Sequence, residues 1–169
     1  MFYDLLLKKN LPNSTTLQPI VDRNGKSALI SAFTNSTFSP SDKITINAGV
    51  NGEFFTLNKH YSIEPRESIR YQFAPKQALS FAYGLHSRLE RINYYFIKNA
   101  QNRLVNKDLD FTKSHHLVLG YDVSTSEFTH LKIEAYYQHL YSVPVISDSS
   151  FSMINQLNEL EFINGKIYS

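Results

Sequence analysis

The chain has 169 residues, 42% of them hydrophobic, with a formal net charge of +2 and no cysteine. That length gives one domain enough mass for a core, and so small a charge argues against a nucleic-acid or anionic-surface binder. The lack of cysteine excludes disulfides, thiolate metal sites and cysteine nucleophiles together.

The chain opens with Met1-Phe2-Tyr3-Asp4-Leu5-Leu6-Leu7-Lys8-Lys9. Its charges follow the apolar stretch and no long apolar region or small-residue cleavage site appears, so it does not read as a signal peptide. No run approaches the roughly 20 apolar residues of a membrane helix. A mean hydropathy of −0.30 reads as soluble, but strands that alternate between lipid and water average out in any window. The 11 Tyr and 12 Phe fit either an all-β soluble domain or a membrane interface, because aromatic rings suit both.

From about residue 27 the chain alternates with period two, the mark of strands with two unlike faces. A first strand is expected near Ser27 to Thr37, with less clean faces. In Lys43 to Leu57, Ile44, Ile46, Ala48, Val50 and Phe54 oppose Thr45, Asn47, Asn51 and Glu53. In Ser62 to Phe73, Ile63, Ile69, Tyr71 and Phe73 oppose Glu64, Arg66, Ser68, Arg70 and Gln72, with Glu67 interrupting the apolar side. Ala78 to Arg88 sets Leu79, Phe81, Tyr83 and Leu85 against Ser80, Ala82, Gly84, His86 and Arg88. His115 to Val123 sets Leu117, Leu119, Tyr121 and Val123 against His116, Gly120 and Asp122, with Val118 as the exception. Last, Leu131, Ile133, Ala135, Tyr137 and Tyr141 oppose Lys132, Glu134, Tyr136 and Gln138. A solvated sandwich face and a barrel lumen ask for the same polar side, so alternation alone leaves the two tied.

The connections favour the barrel. Ser39-Pro40-Ser41-Asp42, Ala74-Pro75-Lys76-Gln77 and Ser124-Thr125-Ser126-Glu127 are turn-like. Opposite them lie the long connection from Ile97 to Thr112 and everything after about Val143, with Asn58-Lys59-His60 a short exception. Short turns at one end and longer loops at the other is how outer-membrane barrels are built. This ordering puts Tyr71, Phe73, Tyr121 and Phe128 at the turn end. It puts Phe54, Phe55, Tyr61, Tyr94, Tyr95, Tyr137 and Tyr141 at the loop end, as two aromatic girdles. The expected fold is all-β, an antiparallel up-and-down meander forming part of a transmembrane β-barrel wall. Barrels of this kind need about eight strands or more, and an open edge cannot sit in lipid. The expectation is therefore an incomplete barrel, with the tail from Asn164 to Ser169 stopping as if within a loop.

Several stretches carry a family resemblance. They are Ser62-Ile63-Glu64-Pro65-Arg66, Leu79 to Ser87, Asn106-Lys107-Asp108-Leu109, Lys113 to Asp122, and Leu131 to Val145. In order and spacing they resemble the C-terminal barrel of TonB-dependent outer-membrane receptors of the Bacteroidetes type, often built with an N-terminal carboxypeptidase-regulatory-like domain. The region from Ser27 to Leu57 is compatible. The resemblance implies import of a nutrient ligand such as a siderophore or glycan across the bacterial outer membrane. It implies a 22-stranded barrel around an N-terminal plug, energised by the inner-membrane TonB complex through an N-terminal box. Residues 1–169 would be a partial barrel, without plug, TonB box, signal peptide or closing strands. Its implied partners are outer-membrane lipid, the rest of its own barrel and plug, TonB through the missing N-terminal part, and in some members a surface lipoprotein.

The lumen-facing candidates for plug or ligand contact are Glu64, Arg66, Arg70, His86, Arg88, His116, Lys132, Glu134 and Gln138. Glu64 and Arg66 favour a structural wall pair, and Pro65 between them, lacking an N–H, is expected to interrupt a ladder. His115 and His116 point to opposite faces and cannot chelate one ion. His116 would reach His86 only if their strands were neighbours. No catalytic motif is found, nor a metal or cofactor site, nor a nucleic-acid surface. The alternatives are a soluble or surface β-sandwich binding module and a structural or passive outer-membrane barrel outside the TonB class.

Overall fold

A computed structural model describes residues 2–10, 17–98, 103–126, 128–146 and 167–168. Within the described residues the chain is all-β, with one 3-10 turn. The hairpin β1 (Phe2–Asn10) and β2 (Leu17–Lys26) comes first. Then come β3 (Leu29–Ser41), β4 (Ile44–Phe55), β5 (Tyr61–Ala74), β6 (Gln77–Arg88), β7 (Thr112–Ser124) and β8 (His130–Tyr141). The 3-10 turn Ile92–Phe96 lies between β6 and β7. A two-residue pair, β9 (Val145–Ile146) with β10 (Ile167–Tyr168), completes the set.

Strands β3 to β8 form one six-stranded antiparallel sheet in sequence order, the meander expected from the alternation. The sheet does not close on itself, and β3 and β8 are its edges. Its strands run 12 to 14 residues, more than double the usual globular strand of about 5 to 6. The three turn-like segments all fall at one end. β3 takes in Ser39, Pro40 and Ser41 of the expected turn, and its pairing with β4 shifts between Phe38 and Ser41. Pro40 lies in that irregularity, on an edge strand, where a missing N–H costs least. Glu127 of the third turn and most of the tail expected after Asn164 lie outside the described residues.

Register turns the alternating residues into continuous rows. Phe38, Ile46, Ile69, Phe81, Leu119 and Ala135 lie side by side across all six strands. Ile44, Tyr71, Leu79, Tyr121 and Ile133 form the next row toward the turn end. No protein layer covers this face among the described residues: Leu119 and Ile133 each keep 56% of their surface exposed. The indistinct faces of β3 are settled by pairing, which puts Ile30, Ala32, Thr34, Ser36 and Phe38 on the apolar side. Phe33, Tyr136 and Leu140 fall on the polar side, all on edge strands and all exposed.

The packed core lies elsewhere, at the loop end. Val21, Phe55, Tyr94, Tyr95, Phe96, Leu109 and Phe111 form one buried cluster, with Val21, Tyr95 and Phe111 wholly enclosed. Phe55 meets Tyr95 edge-on at 5.4 Å, and Tyr3 of the first hairpin meets Phe96 at 5.1 Å. Asn58 Nδ2 donates to the Leu109 carbonyl at 2.8 Å, tying the β4–β5 turn to the long loop. The loop-end girdle is thereby corrected: Phe55, Tyr94 and Tyr95 are core residues beneath the loops, because the first hairpin supplies a surface for them to pack against. Phe54 and Tyr61 do sit opposite each other at the loop end of the apolar face, with Tyr141 at the same end of β8. Tyr137 lies nearer mid-strand. At the turn end Phe73 packs on Tyr71 at 6.4 Å and on Tyr121 at 6.5 Å.

Candidate functional site

The polar face of the sheet carries all nine lumen-facing candidates. Its organisation starts from β6, whose first four residues on this side are the small Ala78, Ser80, Ala82 and Gly84, before His86 and Arg88. With so little volume in that strand, long side chains of β5 and β7 can meet across it. Arg70 of β5 reaches over Ser80 and the bare Gly120 to Asp122 of β7, Nη1 to Oδ2 at 2.5 Å. Ala78 is buried on the floor of this region. The pair thus bridges two strands that share no ladder.

At the turn end Asp122 is the hub. Its other oxygen lies 3.2 Å from His130 Nε2, and His130 Nδ1 lies 3.3 Å from Ser124 Oγ. Lys132 and Glu134 pair with each other at 2.6 Å, one step away along β8. The order Ser124–His130–Asp122 is that of a hydrolytic relay, but its setting is wrong for one. Arg70 draws off the negative charge that would support an imidazolium, and the Ser124 N–H, a natural oxyanion donor, is bound to the Lys76 carbonyl at 2.9 Å. The contacts close the β7–β8 turn.

Toward the loop end Glu64 is the hub. Its side chain is almost wholly buried, and a buried carboxylate is tolerated only when its lone pairs are filled. Arg66 Nη2 donates to Oε2 at 2.7 Å and Asn51 Nδ2 to the same oxygen at 3.2 Å. The N–H and hydroxyl of Ser87 donate to Oε1 at 3.0 and 2.5 Å. Pro65 explains why a side chain does this work. The β5–β6 ladder ends at Arg66 and Gly84, immediately before the residue that lacks an N–H. Beyond that point the Glu64 carboxylate takes the place of a ladder acceptor for β6. The wall-pair reading of Glu64 and Arg66 fits this geometry, with Pro65 interrupting the ladder on one side only, since β5 continues to pair with β4 through Pro65 and Val50.

Between the hubs, His86 and His116 come together, as neighbouring strands allow: their ring centroids are 4.7 Å apart, edge to face. His115 faces the other way, against Tyr83 and Tyr141. The His86 ring lies over Gly84, close enough that a Cβ there would sit 2.8 Å from Nε2. Arg66, His86, His116, Asn35, Asn47 and Ser68 border an open hollow of about 310 Å³ on this face. No group of three or more metal-ligating side chains occurs among the described residues. Two candidates stand apart: Arg88 turns to Glu90 of the long loop at 3.4 Å, and Gln138 donates to Ser114 Oγ at 3.1 Å.

Sequence reasoning put Asp122 and Asn51 on the right face but in no network, and passed over Ser87 and Glu90. The available signal was Arg70 and Asp122 on one face with only small residues between them. No family model, curated protein or solved structure matches this chain.

Proposed function

We propose that this chain is a stretch of the wall of an outer-membrane β-barrel, with hydrocarbon against its apolar face and the barrel interior on its polar face. One observation carries the reading: the rows around Phe81 and Leu119 run across six strands with nothing packed on them among the described residues, while the opposite face is laced with hydrogen bonds. In water such a face is a large unpaid exposure; in lipid it is the required surface. Strands of 12 to 14 residues exceed the roughly 9 to 11 that cross a bilayer when tilted. The unpaired outer edges of β3 and β8 would be completed by further strands of the same barrel.

Within that reading, the stretches from Ser62 to Val145 favour a TonB-dependent receptor that imports a nutrient ligand. The polar face then meets the plug, and Arg66, His86 and His116, which border the open hollow on that face, are the candidates for plug or ligand contact. TonB and a surface lipoprotein enter as partners of the whole receptor, and no catalytic role is proposed.

The test uses the absence of native cysteine. Single cysteines at positions 116 to 121 of β7 carry an environment-sensitive dye in the full-length parent barrel, which is folded into vesicles with brominated acyl chains. Quenching should be strong at 117, 119 and 121 and weak at 116, 118 and 120. A water-soluble monomer, or quenching that ignores the alternation, refutes the reading. A plug-encoding segment upstream in the parent gene separates the receptor from a passive barrel.

A further inference from the structure

The interruption at Pro65 has a counterpart on the apolar face. Where the β5–β6 ladder stops, a hollow of about 420 Å³ opens at the loop end. Its walls are Tyr61 and Ile63 of β5, Leu85 of β6 and Tyr141 of β8. All four belong to the apolar face by register or alternation, so the hollow continues into the bare rows below it.

Its upper rim is basic. Lys113 comes from the start of β7, and Lys59 and His60 from the β4–β5 turn. Lys59 stands at φ 63°, a left-handed turn conformation, held by its N–H on the Phe55 carbonyl at 2.9 Å. Its ammonium forms no ion pair among the described residues. The single carboxylate of the rim, Asp110, is already committed: it meets His60 Nδ1 at 3.2 Å, Lys113 Nζ at 3.4 Å and the Phe111 N–H at 2.7 Å. Two ammonium groups against one carboxylate leave the rim cationic. A cationic rim above a greasy slot matches the two ends of an amphipathic anion.

We propose that this hollow holds the phosphate-bearing headgroup of an anionic lipid, with its acyl chains running down the adjoining apolar face. The proposal rests on the membrane reading above and names the lipid chemistry that reading leaves open. Lys59 and Lys113 would flank the phosphate, and Tyr61 and Tyr141 would pack beside the glycerol or sugar backbone.

The test folds the full-length parent barrel into vesicles of phosphatidylcholine alone or with a minor fraction of phosphatidic acid. Lipid retention is read by native mass spectrometry and stability by thermal midpoint. Phosphatidic acid should be retained over phosphatidylcholine and should raise the midpoint. Lys59→Gln, in an exposed turn, should weaken retention about fivefold, and the further change Lys113→Gln by a similar factor. Lys132→Gln, on the polar face at the other end, should leave it unchanged. Equal retention by Lys59→Gln, by the double variant and by the unaltered chain overturns the proposal. So does inorganic phosphate reproducing the whole midpoint shift in neutral vesicles, which would mark a free-anion site. Entry into neutral vesicles with no phosphatidic-acid effect sinks the headgroup site alone; failure to enter any vesicle sinks the membrane reading and this proposal with it.

Discussion

Two regions of this protein are built from the same kinds of side chain and end in opposite states. Around Tyr95 and Phe111, aromatic and aliphatic residues from the first hairpin, β4 and the long loop enclose one another completely. Across β3 to β8, Phe, Leu, Ile and Tyr line up in rows and, among the described residues, stay exposed beside their strand neighbours. The difference lies in what the chain supplies to cover each. The loop end has segments long enough to fold back, whereas the sheet is joined through its middle by tight turns that bring no second layer. Among the described residues the cluster has a covering and the six-stranded face has none.

That contrast can be broken by substitution. Phe111→Ala empties a fully enclosed site, and the cost should be about 3 to 5 kcal/mol whatever surrounds the sheet. Chemical unfolding of the chain measures it, and a negligible effect would mean the cluster is not a core. Leu119→Arg, at the centre of the bare face, sharpens the comparison because its cost depends on the medium. It should be about 2 to 4 kcal/mol in vesicles and close to nothing for a face already in water. Unchanged stability and assembly in vesicles would refute hydrocarbon on that side.

The polar face gives a smaller effect. Glu64→Ala leaves the Ser87 N–H and the Arg66 guanidinium without their acceptor, at about 1 to 3 kcal/mol. Hydrogen exchange should show the loop-end halves of β5 and β6 loosening first, and uniform loosening across the sheet would contradict a local bridge. The smallest effect is a pH response confined to the cluster. Burial pushes the Tyr95 phenol up to about 12, from an ordinary value of 10.0. Above pH 10 the unfolded chain releases this proton while the folded chain keeps it, so stability falls as pH rises from about 10 to 12. Below that window this group contributes no pH dependence. Tyr95→Phe should flatten that fall in an alkaline titration of folding, and an unchanged slope would assign it to other groups.

Much of the sheet was legible in the sequence, because a strand's two faces are a local property. Ile46, Ile69, Phe81, Leu119 and Ile133 declare their side by period two alone, and Pro75 and Asp42 mark where the chain reverses. The first hairpin was not legible. Its residues up to Lys26 lack clean alternation, and Val21 is buried against a cluster about 75 residues further along. Tyr94 and Tyr95 were misplaced for the same reason, since their partners come from β2, β4 and the long loop.

The sequence by itself determined the all-β class, the direction of the meander and which side chains share a face, all of which follow from the geometry of one extended strand. Tertiary structure decided which distant charges meet. Arg70 finds Asp122, and Glu64 finds Ser87, only once register places small β6 residues and a ladder broken at Pro65 between them. Alternation fixes the side on which a residue lies. Its partner depends on strand pairing, which brings together residues dozens of positions apart and has no signature in either one alone.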